Sequence, residues 1–207
     1  MITNYKEITK GIQHLSANDT VLAKIILKAP EYNVVPHKDY YKSFLSSIIG
    51  QQLSTQSADA ISRRFFEYFD FKPTPEKILS ADDSDLRKLG LSAAKVKYVK
   101  DLSDKVLRNI VNFKNISKKT DEEIIKEFTV VKGIGVWTCQ MFLMFTLARP
   151  DVLPILDLGI KKAVMRNYKL KELPDEKKLR GIAKRKKWAP YTSIACWYLW
   201  QSLEFKE

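Results

Sequence analysis

Between Thr129 and Lys171 this 207-residue chain has only two acidic side chains, Asp151 and Asp157. Asp151 lies among prolines and charges and reads as exposed. Asp157, in "LPILDLGIKK", is flanked by Ile155, Leu156, Leu158 and Ile160 and followed by Lys161 and Lys162. An aspartate there can be the N-cap of a helix through "LGIKKAVMRNY". An ionised carboxylate in an apolar cleft can also stabilise a sugar cation, as one does in glycoside hydrolysis. Capping does not exclude catalysis, and residue chemistry leaves both roles open.

The second candidate is "VKGIGVWTCQMFLMF", Val131 to Phe145. Gly133 and Gly135 allow positive φ and the close approach of another chain, which predicts a tight hairpin between two helices. Its amides, together with the first amides of the second helix, would converge on one point suited to a phosphate. A lone Gly-x-Gly between helices is also a plain turn. The dinucleotide fingerprint is excluded, because no strand precedes the motif and the third glycine is missing. Lys132, Thr138 as a hydroxyl donor, and the basic chain favour a DNA backbone as ligand.

Thirty-six Lys and Arg against 24 Asp and Glu give +12 and a sequence pI near 9.5, which predicts an anionic partner. From Lys161 to Lys187 twelve basic residues face three acidic ones, a net +9. Such a run is a solvated face or a phosphate-binding surface. Cys139 and Cys196 are the only cysteines and His14 and His37 the only histidines. Two cysteines cannot hold a four-thiolate iron-sulfur or zinc site, and no disulfide framework is suggested. The N-terminal stretch lacks a signal pattern and no apolar run reaches about 18 residues, so a soluble intracellular protein without a membrane partner is expected.

The elements that must position these residues are helices, and the fold class is all-α. Ser54 reads as the N-cap of "TQSADAISRRFFEYF", and Thr74-Pro75 opens a short helix. Gly90 suits a left-handed helix end, and Ser92 caps a long helix through Val111. Thr120 and Glu123 form a capping box ahead of "DEEIIKEF". The second helix of the hairpin is expected to run from Gly135 or Val136 to Leu147. Pro30 to Pro36, Asn112 to Lys119, and Arg149 to Pro154 read as connectors; the last, with two prolines, must cross in extended form before Asp157.

Taken in order, "VKGIGVWTCQMF", a proline-interrupted stretch with "LDLGIKKAV", and "WAPYTSIACWYLW" resemble the helix-hairpin-helix (HhH-GPD) DNA glycosylase superfamily, and within it the 3-methyladenine DNA glycosylase II branch. The resemblance runs from about Tyr40 to about Leu203. It implies two closely packed helical lobes with a cleft between them, forming a single domain over residues 1–207. Residues 1–39 would be an N-terminal helical extension, with no room for a β domain, and the helix-hairpin-helix would occupy about 120–147. It also implies a monomer that binds double-stranded DNA with alkylated bases, flips the damaged purine out and hydrolyses its N-glycosidic bond, leaving an abasic site.

Carried over by motif, Asp157 is the catalytic residue. Lys132, Gly133, Gly135, Thr138 and Ser54 contact the DNA backbone. Gln52, with Gln51 beside it, fills the gap left by the extruded base, where many relatives place an aliphatic residue. Trp137, Trp200, Trp197 and Tyr191 are assigned to the base pocket, although helical spacing also suits Trp197 and Trp200 to core packing. The main-chain carbonyls of Thr129, Val131 and Ile134 match positions that hold Na+ or K+ in relatives; no cofactor is required and no iron-sulfur cluster is expected. Trp137 occupies the place of the lysine with which bifunctional branches form a Schiff base, which implies a monofunctional enzyme. Lys132 instead of proline in the hairpin, and Thr192 instead of arginine after Pro190-Tyr191, depart from the family pattern. The alternatives are a non-catalytic DNA-binding module and a bifunctional glycosylase-lyase.

Overall fold

The structure, a computed structural model, describes residues 5–205; Met1 to Asn4 of the expected N-terminal extension, and the last two residues, lie outside them. The described residues form helices α1 (Tyr5–Asn18), α2 (Thr20–Ile26), α3 (Tyr40–Gly50), α4 (Thr55–Tyr68), α5 (Pro75–Ser80), α6 (Asp83–Lys88), α7 (Ala93–Leu107), α8 (Asp121–Phe128), α9 (Val136–Met141), α10 (Leu158–Asn167), α11 (Glu176–Arg185) and α12 (Thr192–Ser202). No strand occurs among them. The chain divides into two compact units, one of Lys38–Phe142 and the other of the segments up to His37 and from Leu143 onward. None of the described helices is long and apolar enough to cross a membrane.

In the central unit, α3 is the axis. Its buried face is Phe44, Leu45, Ile48 and Ile49, one stripe at helical spacing. Phe44 stacks on Phe128 at the end of α8, 4.5 Å between centroids, and on Phe142 just after α9, at 4.4 Å. One ring therefore ties together the two helices that flank the Gly133 turn. The chain enters these helices as expected: the side chains of Ser54, Thr74, Ser92 and Thr120 accept amides of the first turns of α4, α5, α7 and α8, and Thr120 and Glu123 complete the capping box. Gly90 takes φ +109° after α6.

Helix α3 stops at Gly50, leaving Leu53 exposed in the following turn. Two boundaries, those of α7 and α9, differ from the sequence reading. Helix α7 ends at Leu107, not Val111, because Asn109 adopts a left-handed φ of +53° and the amides of Ile110 and Val111 fold back onto the Lys105 carbonyl. Helix α9 is α-helical only to Met141 and continues as a π-helical turn over Phe142–Thr146.

The terminal unit is built on α12, which is buried from Thr192 to Leu199 and packs against α1, α2 and α10. A side chain at Gly11 of α1 would place its Cβ 2.6 Å from Ile194, so glycine is what lets α1 approach α12. Asp19, fully buried, caps α2 through the Val21 and Leu22 amides and accepts the Trp188 indole N–H at 2.9 Å and the Tyr168 hydroxyl. The proline-bounded segment before Asp157 is fastened to the start of α12: the Ser193 amide donates to the Pro150 carbonyl, and the Val152 amide to the Ser193 hydroxyl.

Removing the Phe44 ring leaves a cavity between two stacked rings. Phe44→Ala is expected to destabilise the chain by about 3–5 kcal/mol, read from urea unfolding.

Candidate functional site

The turn between α8 and α9 is held from below by α7. Gly133 sits at φ +82°, and a Cβ there would fall 2.2 Å from a ring carbon of Tyr98. Only glycine meets both conditions. The Lys132 amide donates to Asp101 on α7 at 2.8 Å, and the Asp101 carboxylate also takes the Lys105 ammonium at 2.6 Å. Burial alone would raise the Asp101 carboxyl; the Lys105 hydrogen bond, the Lys132 amide and the charges of both lysines hold it below its usual range. From α3's side, the Gln51 side chain donates to the Gly133 carbonyl at 2.7 Å.

Gly135 differs from expectation. Its φ is −104°, extended backbone open to any residue, and a Cβ built there meets nothing within 4 Å. Its place is set by what surrounds it: as N-cap of α9 it offers no side-chain acceptor, unlike the caps of α4, α5, α7, α8, α10 and α11. Open space therefore lies beside Gly135, where the helix begins without a side-chain cap, and the start of a helix is where an oxyanion can be received. Thr138, expected to offer its hydroxyl to a phosphate, is only 3% exposed, because it lies on the inward side of the first turn of α9. Lys132 is exposed, with its ammonium 4.0 Å from Asp101.

Gln52 is exposed in the α3–α4 turn at a left-handed φ of +56°, and Ser54 is exposed although its hydroxyl caps α4. Gln51 is not displayed as a wedge; its amide is spent on Gly133. Gln51, Gln52, Lys95, Tyr98, Gly133 and Trp137 line a pocket of about 810 Å³ within the central unit. Trp137 is 40% exposed there. The Lys95 ammonium donates to the Ile49 carbonyl at 2.7 Å, closing the end of α3, and burial lowers its pKa. The carbonyls of Thr129, Val131 and Ile134 belong to the same turn. Val131 accepts the Ile134 amide at 3.1 Å, and its second lone pair is compatible with a cation.

In the terminal unit, Asp157 is the N-cap of α10 and is 8% exposed. Its Oδ1 accepts the Ile160 amide at 2.7 Å and the Trp200 indole N–H at 2.9 Å. Phe145 lies against the Trp200 ring, 5.7 Å between centroids, and Leu156 and Leu158 are exposed on either side of the carboxylate in sequence. Gly159 makes the contact possible: a Cβ there would lie 2.9 Å from the Trp200 indole nitrogen and 3.0 Å from Asp157 Oδ1. Trp200 thus meets the carboxylate itself, through a donor that fixes one oxygen.

The other two aromatics expected in the base pocket are placed elsewhere. Trp197 is 7% exposed and packs edge-on against Tyr32, in the segment after α2, and against Tyr198. Tyr191 lies over Gly11 and beside His14 on α1. Both make packing contacts within the terminal unit, and Tyr191 is half-buried. Cys139 and Cys196 are buried, which pushes the Cys139 thiol up to about 12 and raises Cys196 as well. No group of three or more His, Cys, Asp or Glu suited to a metal occurs among the described residues. Asp151, exposed as expected, accepts the Thr192 hydroxyl.

Asp101, Tyr98, Lys95 and Gly159 carry no signal of their role in the sequence. Asp101 and Lys105 are an i, i+4 pair that reads as ordinary helix-surface chemistry, and nothing local announces that the carboxylate also reaches Lys132, 31 residues away.

The described residues thus hold a turn that begins a helix without a side-chain cap and, separately, a buried carboxylate fixed by an indole. The chain matches the HhH-GPD superfamily of base excision DNA repair proteins over residues 45–190. It belongs to that family. DNA-3-methyladenine glycosylase 1 of Schizosaccharomyces pombe is 30% identical over 201 residues, covering 94% of this chain and 87% of the relative. The solved structure of a 3-methyladenine DNA glycosylase from that organism in complex with abasic DNA superposes with a TM-score of 0.81 at 29% identity, covering 95% of this chain and 97% of that one. YfjP of Bacillus subtilis is 34% identical over 171 residues, 79% of this chain; this chain spans 59% of its length.

The clamp on the turn is pH-dependent in a defined direction. The Asp101 pKa is depressed in the folded chain, so its stabilisation is present above the ordinary aspartate value and is lost as pH falls through the lower folded value. In Asp101→Ala the acid limb of urea-unfolding stability is expected to be shallower below about pH 4, with faster amide exchange at Lys132. An unchanged acid limb would remove Asp101 from the clamp.

Proposed function

We propose that this chain is a monofunctional DNA glycosylase of the 3-methyladenine type, which releases alkylated purines from double-stranded DNA and leaves an abasic site. The observation that carries this reading is the Asp157 carboxylate, buried at the start of α10 and held through Oδ1 by the Ile160 amide and the Trp200 indole. The names of its relatives, DNA-3-methyladenine glycosylases, support the same activity. Residues 1–207 are read as one functional domain, acting as a monomer inside the cell, where its DNA lies.

Lys132, Gly133 and Gly135 with the first amides of α9 bind backbone phosphate, with Ser54 as a further contact at the α3–α4 turn. Gln52, set outward by its left-handed backbone, takes the space of the extruded nucleotide, and Gln51 keeps that turn in register with Gly133. A cation held by the carbonyls of Thr129, Val131 and Ile134 would add positive charge beside the phosphate. Trp137, in the pocket of the central unit, offers a ring face for stacking against a base.

An alkylated purine carries positive charge, so its departure with the C1′–N electron pair leaves a neutral base and an oxocarbenium-like sugar. The Asp157 carboxylate stabilises that cation while water adds to C1′ and loses a proton. Trp200 and the Ile160 amide keep the carboxylate from turning away, so little reorganisation is needed as charge develops. Strand cleavage would require an amine nucleophile. Trp137 provides none, and the Lys95 ammonium in the same pocket is engaged with the Ile49 carbonyl.

Asp157→Asn is expected to retain binding to abasic-analogue duplex while release of methylated purines, followed by chromatography, falls by about 100-fold or more. Wild-type release rates in this variant would leave a non-catalytic DNA-binding module as the better reading. Borohydride is expected to trap no covalent adduct with abasic DNA.

Gly159→Ala drives a methyl group between Asp157 and Trp200. The Trp200 indole N–H resonance is expected to shift and base release to fall by about 10- to 100-fold, with duplex affinity kept.

A further inference from the structure

Helix α11 carries an unusual residue at its centre. Gly181 is a poor helix former, and no close packing requires it: a Cβ built there meets nothing within 4 Å. The helix buries its opposite side, through Leu179 and Ile182. At 3.6 residues per turn, the positions that surround Gly181 on its own face are 177, 178, 184 and 185. All four are basic and exposed: Lys177, Lys178, Lys184 and Arg185.

None of these four side chains forms an ion pair with an acidic group among the described residues. Some exposed helical cations pair locally, as in Lys10–Glu7, Lys88–Asp85 and Arg108–Asp104, and Arg180 on the flank of α11 pairs with Glu176; others, such as Lys24 and Lys97, stand alone, and what sets α11 apart is that four unpaired cations share one face. Asp175 is occupied in capping α11 through the Lys178 amide. Repulsion among four neighbouring cations destabilises an isolated helix. Here it is combined with a glycine that keeps the centre of the face flat, so that a rigid polyanion can reach the helix backbone between the four charges.

We propose that this face of α11 is a phosphate-binding surface for duplex DNA, additional to the turn between α8 and α9 and indifferent to the lesion. The inference rests on the reading that the chain acts on DNA. A duplex matches the face because its phosphates lie in regular rows that several fixed cations can meet together, releasing counterions. The contact raises residence on undamaged DNA and carries no sequence or damage information.

The test uses the full chain and a short undamaged duplex, with affinity measured over a range of salt. Replacing Lys177, Lys178, Lys184 and Arg185 together by Gln is expected to flatten the slope of log K against log salt by about 3 to 4, near 0.9 for each phosphate that is no longer neutralised. Gly181→Leu, which keeps every charge and improves helix propensity, is expected to weaken duplex binding about tenfold by lifting the DNA from the face. A control replacing Lys24, Lys28, Lys114 and Lys118 by Gln, equal in charge and situated elsewhere, should change the slope by less than about 1.

An unchanged slope in the α11 variant, an equal loss in the control, or wild-type affinity in Gly181→Leu each overturns the proposal. So does binding of the wild type to vesicles rich in anionic lipid that disappears in the α11 variant while its DNA slope is kept. Helicity by circular dichroism confirms that the variants are folded. Base release by the wild type is measured separately, so loss of the glycosylase reading and loss of this surface give different results.

Discussion

Every helix begins with amides that lack an intrahelical acceptor, and both proposed sites of this chain are built at such a start. Ser54, Thr74, Ser92, Thr120 and Asp175 close helix starts with their own side chains. Helix α9 begins on Gly135, which has no side chain to offer. Helix α10 begins on Asp157, whose Oδ1 serves the Ile160 amide and at the same time the Trp200 indole. An uncapped start recurs at α3, α6 and α12, and a carboxylate that both caps and accepts an indole recurs at Asp19; the starts of α9 and α10 are the proposed phosphate grip and the proposed catalytic carboxylate because of what surrounds them.

Each start is held by contacts distant in sequence. Phe44 stacks on the rings that end α8 and follow α9, Asp101 holds the Lys132 amide, and Tyr98 fills the space that a side chain at Gly133 would need. A turn braced on three sides presents its amides without reordering when a ligand arrives, which is the condition for electrostatic preorganisation. In the terminal unit, Gly159 has the matching role. By lacking a Cβ it lets an indole and a carboxylate meet over the first turn of α10.

The aromatic residues show why composition is a weak guide to roles. Trp137, Trp188, Trp197 and Trp200 are chemically alike, yet Trp188 donates to the buried Asp19, Trp197 is core, Trp200 orients Asp157, and Trp137 stands half exposed in a pocket. The helical spacing of Trp197 and Trp200 matches packing and pocket lining equally well, because residues three apart lie only about 60° from each other around one helix, and that spacing does not tell which neighbours each ring meets. Tyr191 is equally ambiguous by spacing: its partner is Gly11, at the other end of the chain.

The sequence by itself determined the helical class, the caps, the hairpin between α8 and α9, and Asp157 as the isolated carboxylate of its region. These features rest on local rules: periodic apolar positions, a hydroxyl or carboxylate before a helix, and glycine where φ is positive, as at Gly90 and Gly133. Only the tertiary structure decided that Gln51 braces Gly133 instead of facing solvent, that Thr138 turns inward, that Gly135 keeps an ordinary φ beside open space, and that Asp101 and Gly159 are parts of the two sites. Those outcomes depend on which atoms arrive from residues tens of positions away, and a side chain's local spacing carries no record of that distance.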